Sequence, residues 1–201
     1  MIGPVLIALT RLMTGAVVKT RDFAFEPPVQ RIYYANHTSH VDTLLIWSSV
    51  PKSQRRQVRP AAAKDYWWSS RWRRHIAENV LHAVPVPRHR DAAESDPLHE
   101  LSHALAQGDS LIFFPEGTRG NGGAIQPFKH GLYHLAEKYP HVRLVPVYID
   151  NLNRVLPKGE FFPVPILCTI TFGAEFALRE GETKGDFIAR AKSGLEALAV
   201  K

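Results

Sequence analysis

The sequence predicts a single α/β domain, with a central mixed and largely parallel sheet flanked by helices and an amphipathic helix ahead of it. Three observations carry that prediction. Short apolar runs that read as buried strands, at residues 32–35, 110–114, 142–149 and 166–172, alternate with stretches of helical periodicity. Two of those runs lead straight into polar turns, at residues 36–39 and 115–120, where open α/β sheets bind ligands. No repeat, low-complexity tract or linker divides the 201 residues, so one domain suffices.

Composition agrees with that class. Apolar residues make up 45% and charged residues 22%, which excludes a disordered chain and permits a substantial core. Cys168 is the one cysteine, so no disulfide can form within the chain, and a reducing compartment is favoured.

In the first twenty residues Val5, Leu6, Leu9, Leu12, Met13, Ala16 and Val17 fall on one helical stripe, with Thr10, Arg11, Thr14 and Lys19 largely elsewhere. Arg11 interrupts the run well short of the ~20 apolar residues a membrane span needs. A secretory leader is not expected, because no basic residue precedes the apolar run. The expectation is an amphipathic helix over residues 1–25, docked on the domain or lying in a membrane interface, followed by the domain proper over residues 26–201.

Residues 32–35, Ile-Tyr-Tyr-Ala, read as a buried strand, and Val41, Leu44, Leu45 and Trp47 then recur at helical spacing. Asn36 to Ser39 therefore form a turn between them. Inside one continuous helix His37 and Asp42 would lie about 140° apart. If the helix begins at Ser39 or His40, the chain bends and Asp42 reaches back to a ring nitrogen of His37. An imidazole held that way has a fixed tautomer and a stabilised protonated form, as a general base acting on a hydroxyl requires. The competing reading makes Ser39 and Asp42 a capping pair and His37 a turn residue without chemistry.

The net charge of +6 is concentrated. Between residues 52 and 75 stand Lys52, Arg55, Arg56, Arg59, Lys64, Arg71, Arg73 and Arg74 against Asp65, a local charge of +7 that leaves −1 on the rest. One local patch of this kind suits lipid headgroups or nucleic acid. Tyr66, Trp67, Trp68 and Trp72 are interleaved with its arginines, as a membrane interface selects or as stacked bases require. Lys64, after three alanines near a strand end, is placed to point into a site.

A helix over residues 70–81 precedes Val84-Pro85-Val86-Pro87, whose prolines exclude helix and disfavour a central strand. Arg88 emerges from that rigid segment. Asp96-Pro97 then reads as N-cap and first residue of a helix ending at Gly108. Inside it, His99-Glu100-Leu101-Ser102-His103 matches the H-E-x-x-H zinc motif, with Asp109 as a candidate third ligand; Ala106 replaces the glycine some such enzymes carry. His130 and His134 read as exposed helix residues.

Beyond the strand at 110–114, Gly117 allows close backbone approach, Thr118 offers a hydroxyl, and Arg119 can grip a phosphate with paired hydrogen bonds. Phe128-Lys129 opens a helix to about residue 138. A strand over 142–149 carries Val145-Pro146-Val147, a polar loop with Arg154 and Lys158 follows, and Phe187, Ala191, Leu195 and Leu198 mark a closing helix.

Asn36-His37-x-Ser39-x-x-Asp42, Phe114-Pro115-Glu116-Gly117-Thr118-Arg119 and Val145-Pro146-Val147 together resemble the glycerolipid acyltransferase family of 1-acyl-sn-glycerol-3-phosphate acyltransferases, over roughly residues 30–175. The resemblance implies that His37 is the general base and Asp42 its orienting partner. It further implies that Arg119 binds acceptor phosphate and that Glu116 and Gly117 shape the pocket, as do Asn36, Ser39 and Thr118, with Val145 and Pro146 on the acyl-chain side. Arg88, Lys64 and Lys129 are the additional phosphate-binding candidates; Pro87 stands before Arg88 where the family often has aspartate. The expected reaction moves an acyl group from acyl-CoA or acyl carrier protein to the hydroxyl of a lysophospholipid, most naturally 1-acyl-glycerol-3-phosphate. No metal and no cofactor beyond the acyl donor are implied. The expected setting is peripheral or monotopic, on an anionic membrane surface at the cytoplasmic face. Within the class, another lysolipid or a lipid amine could be the acceptor. Outside it stand a zinc hydrolase using His99 and His103, and a basic nucleic-acid-binding module.

Overall fold

The computed structural model describes residues 10, 15–39, 41–87, 96, 98–120, 123–150 and 168–199. Its spine is β2 (Arg31–Ala35), buried at every position. Layers on both faces remove the need for polar alternation, which is why the run reads as continuously apolar. Parallel neighbours flank it, β5 (Ser110–Phe113) on one side and β6 (Arg143–Asp150) on the other. Beyond β5 lie β3 (Val58–Ala63) and β4 (Val84–Val86); beyond β6 lie β7 (Thr169–Phe172) and β1 (Val17–Thr20). The β6–β7 step is antiparallel and the other pairings are parallel. The sheet is thus mixed and largely parallel, and Pro85 sits in an edge strand, where a missing N–H costs little.

Alternate side chains of β2 enter opposite layers. Tyr33 and Ala35 join the core built with α1 (Asp42–Ser49) and α3 (Arg71–Asn79), through Leu45, Ile46 and Ala77. Ile32 and Tyr34 join the core built with α4 (His99–Ala106), α5 (Gly131–Lys138) and α6 (Lys184–Glu196). In α6 Phe187, Ala191 and Leu195 are the buried stripe, and Tyr34 donates to the Ala191 carbonyl at 2.9 Å.

Several expectations need correction. Val17–Thr20 is an exposed edge strand paired with β7, not the end of a helix. Of residues 1–14 only Thr10, which is buried, lies within the described residues, so the amphipathic helix falls outside them. The basic window is not one patch either. Six residues of β3 separate its two halves by about 20 Å at ~3.3 Å per residue. Lys52, Arg55 and Arg56 lie at the lower edge of the sheet, while Lys64 and the short helix α2 (Lys64–Trp67) lie at the upper edge with α3. Arg55 is further removed from any patch because it binds the carbonyls of Trp47, Ser48 and Val50 at the end of α1. Finally, α5 starts at Gly131 rather than Phe128, because the Lys129 N–H donates to the Pro115 carbonyl at 2.8 Å and keeps that segment on the turn.

Candidate active site

The carboxyl ends of β2, β5 and β6 define the upper edge, and the turn after β2 is built first. Asn36 continues the sheet with its side chain: its amide donates to the Ile149 carbonyl at 2.9 Å and its oxygen accepts the Ile149 N–H at 2.8 Å. His37 follows at once. Its Nδ1 lies 2.8 Å from Asp42 Oδ2, and the same oxygen accepts the N–H groups of Thr38 at 2.7 Å and Ser39 at 2.8 Å.

Asp42 is completely buried and is the first residue of α1. Its carboxylate therefore points back over the turn, and α1 receives no side-chain cap at its N-cap residue, Val41. Only half of the capping pair forms: Asp42 Oδ2 accepts the Ser39 N–H, while Ser39 Oγ takes the Val41 N–H at 3.3 Å and not that of Asp42, and the same carboxylate oxygen also holds His37. An acceptor that already gathers two backbone N–H groups requires the proton on Nδ1 of His37. Nε2 is then the bare nitrogen, and it has no partner among the described residues. The imidazole is 16% exposed.

Two neighbours of His37 were not legible as such. Phe114 stacks on the imidazole, with centroids 4.1 Å apart and planes at 22°. Glu116 is buried and acts on the backbone: one oxygen accepts the His37 N–H at 2.8 Å and the other the Gln126 N–H at 2.9 Å. Gly120 completes the link by donating its N–H to the His37 carbonyl at 2.8 Å. The turn that carries Arg119 is thus hydrogen-bonded to the turn that carries His37, across 79 positions of sequence. The order F-P-E is what could have signalled it, since both side chains flank the proline that ends β5.

Gly117 adopts φ +71, a left-handed conformation that strains other residues. Lys129 crosses directly above it, with Cε and Nζ 2.8 Å from where a Cβ would stand. Thr118 is exposed and Arg119 half-buried on the same turn. Lys64 is exposed at the upper end of β3, two strands from β2, so about 10 Å away laterally at ~4.8 Å per strand. Arg88 lies outside the described residues. Val145 and Pro146 are buried in β6 beside β2, a layer below the Asn36 bridge, and so form floor rather than opening. A cleft of about 40 Å³ beside the turn, lined by Asn36, Thr38, Glu116, Gly120, Tyr148 and Asp150, has room for water but not for a lipid.

The zinc reading lacks its site. His99 and His103 stand on the exposed face of α4, beside Glu100 and Gln107 respectively, and Asp109 is engaged by Arg59 at 3.0 Å. No cluster of three His, Cys, Asp or Glu side chains suited to a metal exists among the described residues.

One edge of the largely parallel α/β sheet thus carries a carboxylate-held imidazole and, hydrogen-bonded to its turn, a second turn bearing Arg119. Residues 24–150 match the family model described as Acyltransferase, and the chain belongs to that family. It is 28% identical over 142 residues to a 1-acyl-sn-glycerol-3-phosphate acyltransferase of Limnanthes alba, covering 70% of this chain and 48% of that protein. It is 26% identical over 157 residues to 1-acyl-sn-glycerol-3-phosphate acyltransferase alpha of Mus musculus, covering 77% of this chain and 53% of that one. The chain thus spans about half the length of the curated relatives it matches. In fold it is similar to the crystal structure of the 1-acyl-sn-glycerophosphate acyltransferase PlsC from Thermotoga maritima, at TM-score 0.76 and 21% identity, over 98% of this chain and 80% of that one. Among the described residues no helix is long and apolar enough to cross a membrane.

Proposed function

We propose that this protein transfers a fatty acyl group from the thioester of acyl-CoA or acyl carrier protein to the free hydroxyl of a lysophospholipid, converting 1-acyl-glycerol-3-phosphate to phosphatidate. The observation that carries the proposal is the His37–Asp42 pair at 2.8 Å on a turn hydrogen-bonded to the Arg119 turn. His37 Nε2 takes the proton of the acceptor hydroxyl, whose oxygen attacks the thioester carbonyl. The tetrahedral adduct collapses, the C–S bond breaks, and the imidazolium returns its proton to the departing sulfur. Asp42 stabilises the transient imidazolium and keeps Nε2 facing the acceptor. Phe114 and Glu116 hold the ring and its backbone, so little orientation is lost on the way to the transition state.

Arg119, with Lys129 crossing Gly117 of the same turn and with Lys64 and Arg88 as further candidates, binds the acceptor phosphate. The donor is a co-substrate, and no cofactor enters the chemistry. The names of the relatives support lysophosphatidate as the acceptor over another lysolipid or a lipid amine.

The test is an acyl-transfer assay crossing acyl-CoA and acyl carrier protein donors with phosphorylated, neutral and amine acceptors. Turnover is expected on the phosphate acceptor, and Arg119→Ala raises its KM about 10- to 100-fold, the worth of a charge-assisted hydrogen bond, with little change in kcat. Equal rates on neutral acceptors, or an unchanged KM, would overturn the acceptor assignment.

A further inference from the structure

We propose that the hairpin of α2 and α3 is a membrane-docking surface that seats the upper edge of the sheet against an anionic bilayer; its orienting purpose rests on the acyl-transfer reading above. Trp72 is the most exposed large apolar side chain of the described residues, at 64%. It lies one turn before Ile76, which packs against the core, and about 140° around α3 from the buried Ala77. The indole therefore stands past the edge of the core, uncovered.

The position follows from topology. Because β3 is parallel to β2, the hairpin that begins where β3 ends lies at the same edge as the His37 turn. Charge complements lipid headgroups there. Residues 64–79 carry Lys64, Arg71, Arg73 and Arg74 against Asp65 and Glu78, and Arg119 and Lys129 add to the edge beyond. Glu78 is itself taken by Arg74 and by Trp68 Nε1, both at 2.9 Å. Lys64 and Arg71 have exposed side chains with no partner among the described residues.

Nucleic acid fits less well. Base stacking needs a row of open aromatic faces. Here Trp67 and Trp68 are half-buried against the core, and the Tyr66 ring is covered by the Arg73 guanidinium at 4.5 Å. One open indole among cations is instead the pattern of an interfacial anchor.

The experiment uses the full chain and vesicles of phosphatidylcholine with or without phosphatidylglycerol, carrying lipids brominated near the headgroup. Trp72 fluorescence is read as the difference between the protein and Trp72→Phe. Expected are bromine quenching of that difference signal on anionic vesicles and a loss of partitioning in Arg71→Glu of about tenfold or more, from roughly fivefold per charge. Transfer to a short-chain, water-soluble acceptor stays unchanged in both variants. An unquenched difference signal would overturn the proposal. So would partitioning indifferent to Arg71→Glu, or single-stranded oligonucleotide binding that falls with Trp72→Ala while vesicle binding does not. Because quenching is read without turnover, absent transfer activity with quenched Trp72 would defeat the enzymatic reading and leave the surface standing.

Discussion

The two ends of β2 each join a basic side chain to a carboxylate at nearly equal distance, and the two contacts do opposite things. At the lower end, Arg31 meets Glu175 at 2.9 Å and is only 2% exposed. Its remaining nitrogens donate to the carbonyls of Phe25, Ala24 and Pro27, so every guanidinium nitrogen is engaged. At the upper end, Asp42 engages one nitrogen of His37 at 2.8 Å and leaves the other bare. A cleft accompanies each pair, and the lower one, about 240 Å³, is the larger. Cavity size therefore does not locate the chemistry. A contact that engages every nitrogen fastens chain segments together, whereas one that leaves a directed lone pair at the edge of a sheet is equipped to move a proton.

The largest expected effects are a crossed pair of losses. His37→Ala lowers turnover about 10³-fold, within the range a general base supplies, and leaves thermal unfolding nearly unchanged. Arg31→Ala loses about 2 kcal/mol of stability, chiefly because three carbonyls lose the donors of a buried guanidinium, yet keeps its turnover per folded molecule. Denaturant melts and assays normalised to folded protein separate the two; a stable Arg31→Ala protein would erase the contrast.

Asp42→Asn sharpens it. The amide oxygen can replace Oδ2 and the NH₂ can replace Oδ1, which has no hydrogen-bond partner among the described residues. The fold is kept while the charge facing the imidazolium is lost, so kcat falls about 10²- to 10³-fold, short of the ~10⁴ seen where the same change also imposes the wrong tautomer. A collapse of stability instead would make Asp42 structural, like Arg31.

The smallest effect concerns Cys168, buried ahead of β7, whose thiol is pushed up to about 11 from 9.0 by burial, then by Asp150 and Asp42. Below 9 both folded and unfolded chains keep that proton. As pH rises further the unfolded chain releases it first, so stability is lost between about 9 and 11. In Cys168→Ala that part of the alkaline slope is absent, measurable as a shallower fall in melting temperature.

Much of this was legible in the sequence because it is local. The Ile-Tyr-Tyr-Ala run announced β2, the five-residue separation of His37 and Asp42 announced the pair, and Phe114 to Arg119 announced the second turn. What stayed hidden is tertiary. Val17 fits a helical stripe, but its backbone pairs with β7, a partner about 150 positions away. The alanines before Lys64 mark a strand end, but the alanine-rich β3 carries weak strand preference and its start gives no signal, so its length across the basic window stayed hidden. The resemblance makes Glu116 a pocket-shaping residue; that it does so by holding two backbone N–H groups is a role no spacing encodes. Arg31 likewise gives no sign of burial, since its partners come from an irregular segment and from Glu175.

The central claim is that Asp42 fixes the His37 proton on Nδ1 and leaves Nε2 as the acceptor. Nitrogen NMR of the imidazoles at mildly alkaline pH tests it directly, with His37 picked out from the ten histidines by the signals missing in His37→Ala. A protonated, hydrogen-bonded Nδ1 and a bare Nε2 are predicted. A proton resting on Nε2, with Nδ1 bare, would contradict the account.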